Sequence, residues 1–273
     1  MNETDFYITV LGSGAAIPTL ARHCSAQVVN IRGFRILLDC GEGTQNQVRA
    51  YHQRIQSMSV VCVSHLHGDH FFGLPGLLST MHMCGRTEPI TIIGPKGISE
   101  AIDTINRFSG SHLDFPVNYI ELTTDECTTS PLHVYENKRC NISAFALRHS
   151  VETFGYIVEE VPHGSRPPRR YAYCSDTGAF DELADLVHGV NLLCLESTFA
   201  NDFESIAIEK QHCTSTQAAT IASRAEVKQL LLTHFSARYK EIDKLLAEAS
   251  AIFPNTIPAA DGQRYGVEHW DNQ

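Results

Sequence analysis

Residues 64–70, with the sequence Ser-His-Leu-His-Gly-Asp-His, place three imidazoles and one carboxylate within six consecutive positions. The preceding residues 59–63 form an apolar, β-branched run that predicts a buried strand. The following residues 71–78 carry a proline near their start, which favours the first turn of a helix. The polar cluster is therefore predicted to lie on a turn that leads from a strand into a helix.

Alternate side chains on such a turn can point in the same direction, so His65 and His67 can bind one metal ion. Asp69 and His70 then point elsewhere and can begin a second site. Imidazole is a good ligand for zinc, and a carboxylate in the set favours a catalytic ion over a purely structural one. A solvated, histidine-rich turn is the alternative, but four potential ligands in six positions after a buried strand favour metal binding.

The composition of the chain limits the classes of protein to which it can belong. The chain has 273 residues, 43% of them hydrophobic, which is enough to bury the core of a single domain over residues 1–273. Its formal net charge of −10 argues against a basic surface for non-specific nucleic-acid binding, although a local basic rim is compatible with it. Nine cysteines, an odd number, predict reduced thiols and a cytoplasmic location. An acidic N-terminus and the lack of long apolar runs predict neither a signal peptide nor a membrane span.

The rest of the chain is predicted to form two successive runs of strands and helices. The further strands are expected at residues 6–11, 26–31, 34–38, 90–93, 117–122, 132–135, 142–147, 153–159, 171–174, 191–195 and 230–233. The further helices are expected up to about residue 54 and at residues 98–108, 214–224 and 241–252. This pattern predicts an α/β protein in which two mixed sheets stack face to face with helices outside, a four-layer αβ/βα sandwich.

Three other candidate ligands, His149, Asp176 and His234, each follow a predicted strand. Because binding sites in open α/β sheets lie at strand ends, we expect these residues to meet the first cluster in one cleft. Taken alone, either histidine would more commonly be a buried structural residue. Their positions after strands, together with the stretch at 64–70, favour metal ligation instead.

The pattern His-x-His-x-Asp-His on a strand–helix turn resembles the metallo-β-lactamase superfamily. Residues 64–78 resemble, more narrowly, ribonuclease Z, the family of tRNA 3′-processing endonucleases. The resemblance extends over nearly the whole chain, because further segments look like motifs of that family: residues 11–14, 39–45, 94–97, 233–239, 253–256 and 260–262.

Together, the candidate ligands can form a two-metal centre, with two Zn²⁺ per chain as the expected cofactor. The first ion can take His65, His67 and His149, the second can take Asp69, His70 and His234, and Asp176 can bridge both. Two ions bridged in this way lie about 3.5–4 Å apart. A water molecule that they share loses a proton readily, and the resulting hydroxide is the expected nucleophile.

The resemblance also implies roles for residues beyond metal binding. Asp69 is a candidate general acid or base as well as a ligand, and His212 matches a histidine implied in protonation of the leaving group. Glu196 lies in a segment that matches a His-Glu-Ala-Thr motif of the family. Asp39 matches a residue that supports the ligand turn, while its position at a strand end is equally compatible with a helix cap.

Ser236 and Arg238 are the candidate substrate-binding residues, since both lie in the matching segment 233–239. A guanidinium group suits phosphate oxygens because it can donate two parallel hydrogen bonds. For Arg238, a surface arginine that caps the next helix is an equally good interpretation.

The chain departs from the family pattern in several places. Leu195 replaces a histidine, Cys213 replaces a serine, and the loop 18–23 lacks the usual lysine and asparagine. The largest departure lies between His149 and Asp176, which are only 27 positions apart. The family normally inserts here a long, basic arm that clamps tRNA, whereas this chain retains only three arginines at the base of such an arm: Arg166, Arg169 and Arg170. We expect these arginines to make a few phosphate contacts but not to reach the distant part of a tRNA that the arm clamps.

The expected function is that of a two-zinc phosphodiesterase of ribonuclease Z type, which cleaves RNA 3′ ends by metal-activated hydroxide. Two other enzyme classes are alternatives: a hydrolase of small phosphodiesters such as cyclic nucleotides, or of aryl sulfates, and a di-iron reductase. The di-iron class is disfavoured, because such proteins carry a carboxylate at the position of His67. A non-catalytic binding module would not need the full ligand set. We expect a homodimer and neither a membrane nor DNA as a partner.

Overall fold

Two seven-stranded sheets form the centre of the protein, whose computed structural model describes residues 5–127, 130–162 and 166–269. The first sheet contains β1 (Phe6–Gly12), β3 (Ala26–Ile31), β4 (Phe34–Leu38), β5 (Met58–Cys62), β6 (Ile90–Pro95), β7 (Val117–Leu122) and β16 (Arg264–Gly266). The second contains β8 (Leu132–Glu136), β9 (Cys140–Leu147), β10 (Thr153–Glu160), β11 (Arg170–Cys174), β12 (Leu192–Glu196), β13 (Gln229–Thr233) and β15 (Thr256–Pro258).

The two sheets share one plan, with antiparallel pairs at one side and parallel pairs at the other. The first has the order β16–β1–β3–β4–β5–β6–β7, and its pairs are parallel from β4 onward. The second has the order β15–β13–β12–β11–β10–β9–β8, and its pairs are parallel from β11 to β15. Two short parallel strands, β2 (Gly14–Ala15) and β14 (Phe235–Ser236), join residues from opposite ends of the chain.

Helices pack against both sheets, and one further short helix begins within the turn at residues 64–70. They are α1 (Thr44–Ala50), α2 (Gly68–Phe71), α3 (Leu74–Met83), α4 (Ile98–Ser109), α5 (Glu182–Leu186), α6 (Glu204–Lys210), α7 (Ser215–Arg224) and α8 (Asp243–Ile252). Side chains of α1, α3 and α4 pack with the first sheet in one apolar cluster. A second cluster fills the space between the sheets and extends to α5, α7 and α8. The predicted α/β class and the four-layer sandwich are therefore confirmed.

The predicted elements agree with the structure except at short ones. The strands β2, β14, β15 and β16 were not predicted, and the remaining differences concern short helices. Helix α1 ends at Ala50 rather than near residue 54, because His52 adopts a left-handed conformation with φ 54°. Helices α5 and α6 were not expected from the sequence; they span 5 and 7 residues, too few to be stable without tertiary packing. Thr214, a plausible cap by sequence, accepts a hydrogen bond from Gln217 N at the start of α7.

Eight of the nine cysteines are buried as free thiols, and only Cys84 is exposed. Among the helices that the structure describes, none has both the length and the apolar character that a membrane crossing requires.

Candidate active site

Four strands of the two sheets end at one cleft and present polar side chains to it. The turn at residues 64–70 follows β5, and His149 follows β9 in the second sheet. Asp176 and His234 follow the parallel strands β11 and β13. Because the carboxyl ends of parallel strands lie on the same edge of a sheet, the fold brings these distant residues together.

The first group of ligand atoms comes from His65, His67, His149 and Asp176, and all four atoms lie within 4.8 Å of one another. Nε2 of His65 is 3.0 Å from Nδ1 of His67. Oδ2 of Asp176 is 3.8 Å from Nε2 of His65 and 3.8 Å from Nε2 of His149.

The second group comes from Asp69, His70 and His234. Nε2 of His70 is 3.2 Å from Nε2 of His234 and 3.3 Å from Oδ2 of Asp69. The other carboxylate oxygen of Asp176, Oδ1, is 3.2 Å from Nε2 of His70 and 3.1 Å from Nε2 of His234. Each oxygen of Asp176 therefore faces one of the two groups, the arrangement that a bridging carboxylate requires.

These donor sets fit metal ions. Ligands at 2.0–2.1 Å from a tetrahedral zinc ion lie about 3.3 Å from one another, and most of the spacings here are 3.0–3.8 Å. The ring nitrogens of His65 and His67, and those of His70 and His234, face each other directly. Imidazoles that meet in this way, around carboxylates, are typical of a metal centre.

The buried imidazoles and carboxylates of the cluster shift one another's pKa values. Burial lowers the pKa of His65 well below its usual value, and the neighbouring His70 lowers it further. Burial alone would lower the pKa of His70 too, but the carboxylates of Asp176 and Asp39 outweigh it and raise that pKa. For Asp176, burial acts to raise the pKa, whereas His234 and His70 lower it well below its usual value. The buried carboxylate of Asp176 therefore interacts strongly with the imidazoles of both ligand groups.

Asp39 supports the ligand turn and does not cap a helix. Its Oδ1 accepts a hydrogen bond from the Ser64 amide (2.6 Å), and its Oδ2 lies 2.8 Å from Nδ1 of His70. The hydroxyl of Tyr173, on the second sheet, also donates to Oδ2 (2.7 Å). Asp39 is fully buried with φ 55°, a conformation that non-glycine residues adopt at a cost of about 1–3 kcal/mol. The position therefore fixes the orientation of His70 from outside the metal ligand set.

Glu196 connects the candidate acid His212 to the candidate metal ligand His234. Its Oε1 lies 2.6 Å from Nδ1 of His212, and its Oε2 accepts a hydrogen bond from Thr198 Oγ1 (2.6 Å). The same Thr198 oxygen lies 2.9 Å from Nδ1 of His234. Burial lowers the pKa of His212, but the buried carboxylate of Glu196 outweighs this and raises it to about 9. Thr198 lies two residues after Glu196, but nothing in the sequence predicted its contact with His234.

A cavity of about 340 Å³ opens over the cluster. Ser236 and His212 line it, together with Lys210, which the sequence did not single out. Arg238 is not among its described lining residues: the guanidinium lies over the rings of Phe199 and Phe203, and Nε donates to Ser236 Oγ (3.3 Å). The structure thus places Ser236 at the cavity, while Arg238 contacts Ser236 and the aromatic wall.

The loop after β2 adds a contact that the sequence did not predict. The amide of Ala16 donates to Oδ2 of Asp69 (2.8 Å), the oxygen that faces His70 and His234. Every residue except proline has a backbone amide, so this contact cannot be recognised from the sequence and is seen only in the folded chain.

The connection between β10 and β11 corrects one expectation about the three arginines. Arg169 is buried and donates to both carboxylate oxygens of Glu160 (2.7 and 2.8 Å), to Asp5 and to the carbonyl of Val267. It therefore closes the base of this connection and cannot contact phosphate as predicted. Arg166 is exposed, and Arg170 is partly exposed beside Glu159.

Comparison with known proteins agrees with this geometry. Residues 34–235 match the family model described as the beta-lactamase superfamily domain. Ribonuclease Z of Bacteroides thetaiotaomicron is 36% identical over 308 aligned positions, which cover 97% of this chain and 96% of the relative. Because that alignment is longer than the chain, the relative contains insertions that this chain lacks.

Solved structures show similarity to the same family of enzymes. The crystal structure of human tRNase Z, short form, superposes with a TM-score of 0.82 and 31% identity, covering 96% of this chain and 100% of the other. A long form RNase Z from yeast shares the fold, with a TM-score of 0.81 and 18% identity over 98% of this chain and 42% of its own. The chain therefore belongs to the ribonuclease Z family of the metallo-β-lactamase superfamily.

Proposed function

We propose that this chain is a metal-dependent phosphodiesterase that cleaves precursor tRNA at its 3′ end and holds two Zn²⁺ in the cleft. The observation that carries the proposal is the pair of ligand groups that share Asp176, next to the hydrogen-bonded pair His212–Glu196. Zinc is supported by the predominance of imidazole ligands and by spacings close to those of tetrahedral coordination.

When bound, such ions supply Lewis-acid stabilisation of phosphoryl oxygens and lower the pKa of water. The protein residues have separate tasks. The carboxylates of Asp69 and Asp176 complete the ligand groups, and Asp39 holds His70 in place. Ser236 and Lys210, in the cavity wall, are positioned to donate to the non-bridging oxygens of a phosphodiester.

His212 is the proposed general acid for the leaving oxygen. It lines the cavity, and its Nδ1 contacts Glu196, so the ring is held in one orientation with Nε2 as the remaining nitrogen. A carboxylate partner stabilises the protonated ring, which makes a proton available at neutral pH. Glu196 acts as a positioning residue for His212 and, through Thr198, for His234.

Hydrolysis of small phosphodiesters is the second candidate function, and the short connection between β10 and β11 favours it. Only residues 161–169 join these strands, and Arg169 is engaged in a buried ion pair. A segment of this length does not reach far from the cleft, since nine residues span at most about 30 Å when fully extended.

The decisive experiment measures zinc content and activity on one purified sample, with precursor tRNA and bis(4-nitrophenyl) phosphate as substrates. Two zinc ions per chain and tRNA cleaved at the 3′ end are the expected results. Hydrolysis of the small diester alone would favour the second candidate, and iron in place of zinc would contradict the zinc proposal.

We also propose a homodimer in the cytoplasm, on the basis of the family resemblance and of the nine free thiols, which suit a reducing compartment. Light scattering of the purified protein tests the dimer.

A further inference from the structure

A second cavity, of about 260 Å³, adjoins the metal cluster on the side of His67. His67 belongs to both cavities, so a ligand in one lies directly beside a ligand in the other. The second cavity is lined by Leu66, His67, Pro95, Lys96, Val151 and Glu152. Three of these residues follow or precede metal ligands closely in sequence, yet the proposed chemistry uses only His67.

The walls of this cavity combine an apolar surface with one cation. Leu66, Pro95 and Val151 supply the apolar part, and the side chain of Lys96 is exposed at the rim. The carboxylate of Glu152 accepts hydrogen bonds from the amide (3.0 Å) and hydroxyl (3.1 Å) of Thr124. Both bonds end on the same oxygen, Oε1, and hold that side of the carboxylate toward Thr124. Lys96 is the cation among the lining residues and can attract a phosphate group.

We propose that this cavity binds the nucleoside next to the scissile phosphodiester and that Lys96 binds the adjoining phosphate group. The inference rests on the proposed function, because it names a subsite for the same RNA substrate. The cavity is smaller than the roughly 300–1,000 Å³ of most ligand sites, which suits one base better than a larger molecule. Its apolar wall can cover the face of a base, and histidine rings commonly stack on bases.

Backbone hydrogen bonds fix the conformation of the chain around Lys96, so the position of its Cα atom is well defined. Strand β6 lies parallel to β5, the strand that carries the ligand turn, and ends at Pro95. The amide of Lys96 donates to the carbonyl of Leu122 on β7 (2.9 Å). Gly97 follows with φ 96°, a conformation that favours glycine, and its amide donates to Glu121 (3.1 Å). The residues 94–97, singled out in the sequence without a function, thereby place one cation beside the metal centre.

The test compares Lys96→Gln with Lys228→Gln, in steady-state kinetics on precursor tRNA and on bis(4-nitrophenyl) phosphate. Lys228 is an exposed lysine before β13, at the end of that strand opposite to His234, and is the matched control. Lys96→Gln should raise the KM for tRNA about two- to fivefold, the size of one exposed ion pair, and more than it changes the KM for the small diester. The dependence of log KM on log salt should weaken by about 0.7, the value for one phosphate contact on a single strand.

A second variant tests the apolar wall. Val151→Ser should raise the KM for tRNA without a change in salt dependence, since it removes an apolar contact and no charge. Equal KM values for tRNA in the wild type, Lys96→Gln and Val151→Ser would overturn the subsite while leaving the proposed function intact. If the zinc-loaded wild type hydrolysed the small diester but failed to cleave tRNA, the proposed function itself would fail, and the subsite with it.

Discussion

The candidate metal cluster and the connection between β10 and β11 differ in how completely they match the family pattern. The cluster contains every expected ligand, brought together from four strand ends and both sheets. The connection has only nine residues, and its arginine Arg169 is turned inward to Glu160. We therefore expect hydrolysis and the binding of a large RNA to be separable in this protein, because the candidate ligand set is complete whereas the connection that would carry a tRNA-binding arm is short.

This contrast predicts full hydrolytic competence on small diesters together with weak, salt-dependent binding of tRNA. Remote contacts to a substrate help to position its reacting bond, so their loss affects large substrates most. Efficient cleavage of tRNA would then need a partner protein or another surface of the chain. The following experiments test the candidate metal cluster first and the connection between β10 and β11 last, in order of decreasing expected effect on activity.

The largest effect is expected for Asp176→Ala, since this residue alone faces both ligand groups. Nearly all hydrolysis of both substrates should disappear and the metal content should fall, while circular dichroism shows a folded protein. Asp181→Ala, at an exposed residue five positions later, is the control and should change neither quantity. An Asp176→Ala protein with two tightly bound ions and normal turnover would contradict the bridging role.

His212→Ala should lower turnover by about 10²–10⁴-fold on substrates with poor leaving groups, the usual size of general acid catalysis. Its metal content should stay unchanged, because His212 is not needed as a ligand. An activated nitrophenolate leaves without a proton, so bis(4-nitrophenyl) phosphate should be affected much less. Equal losses on both substrates would argue against proton donation by His212.

Asp39→Asn should weaken metal affinity by about 10–100-fold, as is usual when the partner of a ligating histidine is changed. Asparagine tolerates the left-handed backbone at this position, so the variant tests the hydrogen bond to His70 and leaves the local conformation intact. Competition with a chelator, followed by mass spectrometry, measures the affinity. Unaltered affinity would show that His70 does not depend on Asp39.

The smallest effect on activity is expected for substitutions in the connection between β10 and β11. Replacing Arg166 and Arg170 by Gln should raise the KM for tRNA by a few fold at most, with no change on small diesters, as each supplies one exposed charge. Arg169→Gln should instead lower the free energy of unfolding by about 3–5 kcal/mol, because Glu160 would remain buried without its partner. If the KM for tRNA at physiological salt is low and stays the same when Arg166 and Arg170 are replaced, the RNA-binding surface lies elsewhere.

The sequence alone determined most of the strands and helices and the types of side chain in the candidate metal site. Most strands of both sheets and the longer helices follow from runs of apolar residues, which act locally and leave a periodic pattern. The three-residue edge strands β15 and β16 left no such pattern. The seven candidate ligands could be proposed from the sequence because they lie in the dense stretch 64–70 or shortly after a predicted strand: His149, Asp176 and His234. The short helices α5 and α6 escaped prediction, because packing stabilises them and their own sequence does not.

Only the tertiary structure decided which atoms face each other. Three features depend on contacts between residues far apart in the chain. They are the orientation of the two oxygens of Asp176, the hydrogen bonds that connect Glu196 through Thr198 to His234, and the cavity beside Lys96. The structure likewise turned Arg169 inward, because a charged side chain near a buried carboxylate is stabilised by pairing with it. Local patterns in a sequence report the conformation of a segment, whereas such contacts depend on how two sheets and their loops pack, which no single segment encodes.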